Sequence, residues 1–288
     1  MSLDDTNTPK APLTARSGSG RLAAIIAVPL LLIVGAGFLI FGRGTSAPTE
    51  TPTFTAAASG QFSADQQRAI HAIVKDYLIA NPEILIEVQT ALEAKMARED
   101  AERTKALVTA NAQELYHHPN APTAGNPDGD ITVVEFFDYN CGYCKRGFTD
   151  VRKLVETDKN VRLVFKEFPI LSDESEQASK VALAAQKQGK YWEVHQDLIA
   201  TKGRVDQAVA LKVAEKHGLD MEKLKADMAS PEVKAEIDRV KDLAKKMAIN
   251  GTPHFLVGDK AVGGAPENLY DLLEGYVTEL RKTGCSYC

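Results

Sequence analysis

Apolar positions along the chain follow three distinct patterns, and each predicts a different kind of element. The first is an unbroken run. Residues 22–41 are twenty positions without a charge, ~30 Å long as a helix, which matches the hydrocarbon thickness of a bilayer. Pro29 and the glycines inside it are tolerated in a membrane helix. A cleaved leader usually has a shorter apolar stretch with a small-residue site directly behind it. Here Gly42-Arg43-Gly44 follows and Thr45-Ser46-Ala47 is a poor site. The expectation is one uncleaved transmembrane anchor, with a cleaved signal as the alternative.

The second pattern has the helical period. Ser63 and Gln66 match a capping box, and Ile70, Ile73, Val74, Tyr77 and Leu78 then form one apolar stripe. Asn81-Pro82 reads as a stop and restart, with Asn as the cap and Pro at the first helical position. A second helix is predicted from 82 toward 115, its apolar side showing Ile84, Leu85, Val88, Leu92 and Met96. Such stripes need a cover. Two readings stand: the helices pack on each other or on the following domain, or they associate with another copy.

From residue 121 the pattern turns to mixed α/β. Residues 121–126 suit an edge strand, 131–138 a buried strand, 145–157 a helix and 161–168 a third strand. Residues 173–249 show only helical periodicity, broken at Gly189, Gly203, Gly218 and Ser230-Pro231. Two short strands, 254–257 and 260–262, precede a helix from 266 to about 282. No internal repeat is present.

Length and composition narrow this further. At 288 residues and 44% hydrophobic content, a real core can form, and a net charge of −5 argues against nucleic acid as a partner. Lys10, Arg16 and Arg21 precede the apolar run, with only Arg43 close behind it. The positive-inside rule leaves residues 1–21 in the cytoplasm and sends the rest across. Residues 42–61, rich in Gly, Ser, Thr, Ala and Pro, read as a flexible tether reaching ~25 Å. The predicted location is therefore the inner (cytoplasmic) membrane, single-pass, with the body periplasmic or otherwise extracytoplasmic.

That placement gives the cysteines a meaning. All four, at 141, 144, 285 and 288, lie beyond the anchor, where pairs hold or transfer disulfides. Cys141-Gly142-Tyr143-Cys144 falls between a predicted strand and a predicted helix. The first sulfur then sits near the helix N-terminus, where free N–H groups and the helix dipole stabilise a thiolate. The second lies one turn further in, close enough to form or resolve a disulfide. Glu135 is a charge inside an otherwise apolar strand, and burying it without purpose is costly. A neighbour such as Lys166 could pair with it. His117, His118, His195 and His254 are scattered, which favours loop or surface roles over ligation. Tyr191 and Trp192 read as core of the helical insert.

Four motifs together resemble the DsbA branch of the thioredoxin-fold thiol–disulfide oxidoreductases. They are Val134-Glu135-Phe136-Phe137-Asp138-Tyr139-Asn140-Cys141-Gly142-Tyr143-Cys144, Phe165-Lys166-Glu167-Phe168-Pro169, the run from Ala182 to Trp192, and Gly251-Thr252-Pro253. The segment before the domain is similar to that of the copper-tolerance relatives of the ScsC type, in some of which it mediates oligomerisation. The resemblance implies an α/β thioredoxin fold with an inserted helical subdomain, preceded by a helical segment and a single transmembrane helix. It also implies that Cys141 is the exposed nucleophile, Cys144 the buried resolving thiol, and Gly142-Tyr143 the dipeptide that tunes them. Glu135 would move the proton of Cys144, and Thr252-Pro253 would carry a cis bond beside Cys141. The Gly-Tyr pair differs from the Pro-His of the strongest oxidants in that branch.

Cys285-Ser286-Tyr287-Cys288 lies outside the motifs. It reads as a small-loop disulfide, an accessory dithiol exchanging with Cys141–Cys144, or a metal or intermolecular site. The expected organisation is thus tail 1–21, anchor 22–41, linker 42–61, helical segment 62–115, thioredoxin-like domain 116–284 with an insert at about 173–249, and the tail 285–288. The expected partners are exported proteins with thiols or disulfides, a membrane redox partner, the membrane itself and another copy in a homo-oligomer. No cofactor or metal is implied. Oxidase, isomerase or reductase, and a non-enzymatic metal- or chain-binding module are the competing functions.

Overall fold

The computed structural model describes residues 62–288, so the predicted tail, anchor and linker lie outside the described residues. Residues 62–68 group with the N-terminal unit, and Ala69–Cys288 form a unit of their own. Among the described residues no helix is long and apolar enough to cross a membrane.

The capping box forms as predicted: Ser63 N donates to Gln66 Oε1 at 2.7 Å and Gln66 N donates to Ser63 Oγ at 3.3 Å, opening α1 (Ala64–Ala80). The junction that follows differs from the reading above. Asn81 does not cap the next helix; its Nδ2 donates to the carbonyl of Tyr77 at 2.8 Å, closing α1 instead. Pro82 takes the N-cap position of α2 (Glu83–Tyr116) with a helical φ of −65° and no side-chain cap. At 34 residues, α2 is ~50 Å long. No residue of α1 is buried, and none of α2 before Val108. Ile73, Val74, Tyr77, Leu85, Val88, Leu92 and Met96 are each more than half exposed. Neither helix covers the stripe of the other.

The end of α2 belongs to the next domain. Val108, Leu115 and Tyr116 are buried there, so the predicted boundary after 115 falls inside a core helix. A helix of uniform period carries no local mark of where it stops being solvated and starts being packed.

The sheet has the order β1-β3-β2-β4-β5, from Thr123–Gly125, Ile131–Phe137, Val161–Glu167, His254–Val257 and Lys260–Gly263 as β1, β2, β3, β4 and β5. Only β2 and β3 run parallel; the other pairs are antiparallel. The crossover from β2 to β3 is α3 (Gly142–Thr157). Between β3 and β4 come α4 (Asp173–Gln186), α5 (Tyr191–Ala200), α6 (Gln207–Lys216), α7 (Met221–Met228) and α8 (Pro231–Lys246), and α9 (Leu269–Thr283) follows β5. The insert therefore divides where its glycines and Ser230-Pro231 predict.

Period-two alternation sorts the sheet's two faces. Ile131, Val133 and Phe137 of β2 join Leu163 and Phe165 of β3 under α3, α5 and α9. Val134 and Phe136 face the other way, under the last turns of α2 and under Val240, Leu243 and Ala244 of α8. Lys166 lies on that second side, fully buried, its Nζ donating to the carbonyl of Glu114 at 2.7 Å. Burial pushes it down to about 7.

Candidate active site

Cys141 is the N-cap of α3, with extended backbone (φ −79°, ψ 116°), and its own sulfur is the capping group: Sγ accepts from Cys144 N at 3.2 Å. The helix starts three residues earlier than its apolar period indicates, because Gly142 and Tyr143 carry no apolar signal toward the core. Across the gap, the Thr252-Pro253 bond is cis, and Cys141 Sγ lies 3.3 Å from the Thr252 carbonyl. Strand β4 places it there, since His254 pairs with Phe136 near the end of β2. Cys141 is 5% exposed and Cys144 is closed off entirely. The expected order of accessibility holds, though Cys141 is far more covered than an exposed nucleophile. Tyr143 projects into solvent with the Arg146 guanidinium 4.6 Å over its ring.

These surroundings divide the two thiols. The hydrogen bond from the Cys144 side chain, with Thr252 and the N–H groups of Cys144 and Tyr143 adding to it against burial, holds Cys141 down at about 6. Burial, then the hydrogen bond to Cys141 and the charges of Glu135 and Cys141, pushes Cys144 far up. At neutral pH one sulfur is a thiolate and the other a thiol. That is the asymmetry thiol–disulfide exchange requires.

Glu135 lies on the same sheet face as Cys144, buried, with Oε2 lacking a partner among the described residues. It is not paired with Lys166, which lies on the opposite face. Burial raises Glu135 to about 8, and repulsion from Cys141 and Glu167 adds to the shift. It is thus a neutral acid at pH 7 that can give a proton to a departing Cys144 sulfur and take it back.

A polar cluster beside it has no counterpart in the sequence reading. Glu167 accepts from Tyr139 Oη (3.0 Å), Tyr191 Oη (2.8 Å) and Ser179 Oγ (2.7 Å), yet burial still lifts it to about 8. His195 is buried here rather than at the surface, with Nδ1 3.1 Å from Tyr139 Oη and burial holding it down at about 3. Tyr191 is core, as predicted, but through its hydroxyl. Three residues flanking the cysteines were also missed. Buried Asp138 accepts from the N–H groups of Asn140, Ile170 and Leu171, and Asn140 exchanges hydrogen bonds with Val205 at 2.7 and 3.0 Å. Lys145 Nζ donates to the carbonyls of Thr201 and Gly203 at 2.7 and 2.6 Å. Polar residues immediately beside a cysteine pair were the available signal.

The second pair is elsewhere. Cys285 and Cys288 form a disulfide with Cα atoms 5.6 Å apart. Arg281, one turn before it, binds Asp130 at the start of β2 and Asp158 at the end of α3. Cys141 lies at the opposite ends of both elements, roughly 20 Å away by their lengths. The structure brings Cys141, Cys144, Glu135, Thr252 and Pro253 together, and leaves Cys285 and Cys288 out.

Residues 132–274 match the DSBA-like thioredoxin domain, and residues 66–99 match the copper resistance protein ScsC N-terminal domain. A thioredoxin-like oxidoreductase from Silicibacter pomeroyi DSS-3 is 47% identical, with a TM-score of 0.57, covering 59% of this chain and 97% of its own. Proteus mirabilis ScsC in a compact conformation is 29% identical, with a TM-score of 0.57, covering 75% of this chain and 98% of its own. Among curated relatives, the Na(+)/H(+) antiporter NhaA 3 of Salinispora tropica is 31% identical over 147 residues, 50% of this chain. The chain spans 22% of that antiporter's length.

Proposed function

The chain belongs to the DSBA-like thioredoxin-domain family, and on that premise we propose that it is a membrane-tethered, extracytoplasmic oxidoreductase exchanging disulfides with exported proteins. The observation that carries this reading is the split between Cys141 and Cys144: a capped thiolate beside a sealed thiol with a neutral carboxylic acid at hand.

Starting from a Cys141–Cys144 disulfide, a substrate thiolate attacks Cys141 Sγ. The Cys141–Cys144 bond breaks, and Cys144 leaves with the electron pair and takes a proton from Glu135. A second substrate thiolate then attacks the substrate sulfur of the mixed disulfide. Cys141 departs as a thiolate, stabilised by the N–H of Cys144 and the start of α3. The substrate loses two electrons and the enzyme gains them; reversed, the same steps reduce a substrate disulfide. A membrane redox partner would reset the pair. The uncharged apolar run at residues 22–41, with Lys10, Arg16 and Arg21 before it, supports the extracytoplasmic placement.

One observation favours a second reading as an oligomeric isomerase or reductase. The apolar stripe of α1 and α2 is uncovered among the described residues, and a second copy would bury it. Acid trapping and thiol alkylation in cells test the direction: a mainly oxidised Cys141–Cys144 supports the oxidase, a mainly reduced pair the isomerase. Cys141 unreactive in both states overturns the enzyme. Solution mass with and without residues 62–107 tests the stripe, and a monomer in both cases removes the oligomer.

A further inference from the structure

The C-terminal tail is held in place by specific contacts. Tyr287 Oη lies 2.6 Å from Thr109 Oγ1, one residue after Val108, the first buried residue of α2. The Tyr287 ring packs on the cluster that holds Val108 and Leu115. On its other side the tail meets the β4–β5 turn. A Cβ on Gly258 would come 2.8 Å from Leu280 and 3.5 Å from Cys285 Sγ, at a φ of +56°. Glycine is thus what lets the tail approach. The same Gly258 carbonyl accepts from Tyr116 Oη at 2.5 Å. Tyr287 sits between the two cysteines, so the disulfide closes the loop that presents it.

The bond itself is poorly suited to be a mere staple. It closes a loop with two residues between the sulfurs, which constrains the unfolded chain little. Both cysteines are partly exposed, unlike Cys144. It stands at the far pole from Cys141, so one chain cannot pass electrons between its own pairs in this arrangement. We propose that Cys285–Cys288 is a second thiol–disulfide exchange site, reduced by the Cys-x-x-Cys dithiol of another protein molecule, and that its reduction releases Tyr287 from the root of α2.

The donor's thiolate attacks one of the two sulfurs and the Cys285–Cys288 bond breaks. The donor's second thiol then displaces the first, leaving the donor as a disulfide. Cys285 and Cys288 take up two electrons and two protons. A thiolate here faces the C-terminal, negative end of α9, so the reaction calls for a strongly reducing donor of the thioredoxin class; a second, reduced copy of this chain, whose Cys141 thiolate is stabilised, is the weaker donor.

The test uses the full chain with Cys141→Ser and Cys144→Ser, which makes the outcome independent of the first site. It is incubated with reduced thioredoxin or, separately, with a reduced copy carrying Cys285→Ser and Cys288→Ser. Differential alkylation reads the two C-terminal cysteines, and hydrogen exchange reads residues 105–112. The expected result is full alkylation of both and a several-fold rise in exchange over 105–112. Cys285→Ser/Cys288→Ser reproduces that rise without a reductant, and Tyr287→Phe reproduces part of it. Transfer from thioredoxin alone identifies a separate reductant; transfer from the copy identifies a second chain. The proposal is overturned if neither donor reduces the pair while thioredoxin fully reduces wild-type Cys141–Cys144. It is equally overturned if reduction leaves exchange over 105–112 unchanged.

Discussion

The chain carries two Cys-x-x-Cys pairs with the same spacing and opposite settings. Cys141–Cys144 opens a helix, and Cys285–Cys288 follows the end of one. At the first, backbone N–H groups converge on a sulfur and favour its charge. At the second, the helix presents carbonyls and the negative end of its dipole. A buried acid stands beside the first pair, whereas the second touches a glycine turn and a tyrosine hydroxyl contact. Spacing makes a disulfide feasible; the end of the helix on which it sits decides whether a sulfur is held as a thiolate.

The comparison breaks first on Cys141. Cys141→Ser should lower insulin-disulfide reduction on the order of 10³-fold, as removal of a nucleophile does. Full activity carried by the C-terminal pair alone would invert the argument. Next comes the acid. Glu135→Gln should slow mixed-disulfide formation by about 10²-fold in single-turnover quench experiments, in the range of general acid catalysis. Glu135 is protonated below about 8, so the wild-type rate should fall as pH rises through that value, and the variant should lack the limb.

The third test compares the two settings directly. In the fully reduced protein, Cys141 with a value of about 6 is mostly thiolate at pH 7. It should therefore react with iodoacetamide about 2–3-fold faster than a thiol of ordinary pKa, the gain in thiolate fraction being largely offset by the lower nucleophilicity of a more acidic thiolate. Its rate should halve near pH 6, with Cys144 silent throughout. Equal rates at Cys141 and Cys285 would remove the distinction. The smallest effect concerns the scaffold. Lys145→Met, which loses two charged hydrogen bonds to Thr201 and Gly203, should cost about 1–3 kcal/mol in urea unfolding. No change would mean that the insert is not tied to the site through Lys145.

The strands, the breaks of the insert and the first cysteine pair were legible because each rests on local chemistry. Examples are the alternation in β2, Ser230-Pro231, and a cysteine between a strand and a helix. Glu135 was legible as a charge in an apolar run, but not its partners. The Glu167, Tyr139, Tyr191 and His195 cluster draws on β3, the loop after β2 and α5, and no periodicity links positions 139, 167 and 195. Asn81 was misassigned because its side chain can close a helix as well as open one, and only the backbone of Pro82 decides. The far placement of Cys285 depends on the direction of α9 across the sheet, which Arg281 with Asp130 and Asp158 reports only once folded.

The cap at Cys141 has a consequence for the whole molecule. One sulfur is both the reagent and the acceptor that completes the first turn of α3. Oxidising it to a disulfide removes the charge that those N–H groups hold, so the cost is felt by the fold as well as by the bond. Around a closed thermodynamic cycle, the gap in unfolding free energy between the dithiol and disulfide forms equals the gap between this pair and the same pair in an unfolded chain. Calorimetry on the two forms therefore measures the driving force for giving a disulfide away, without any substrate present.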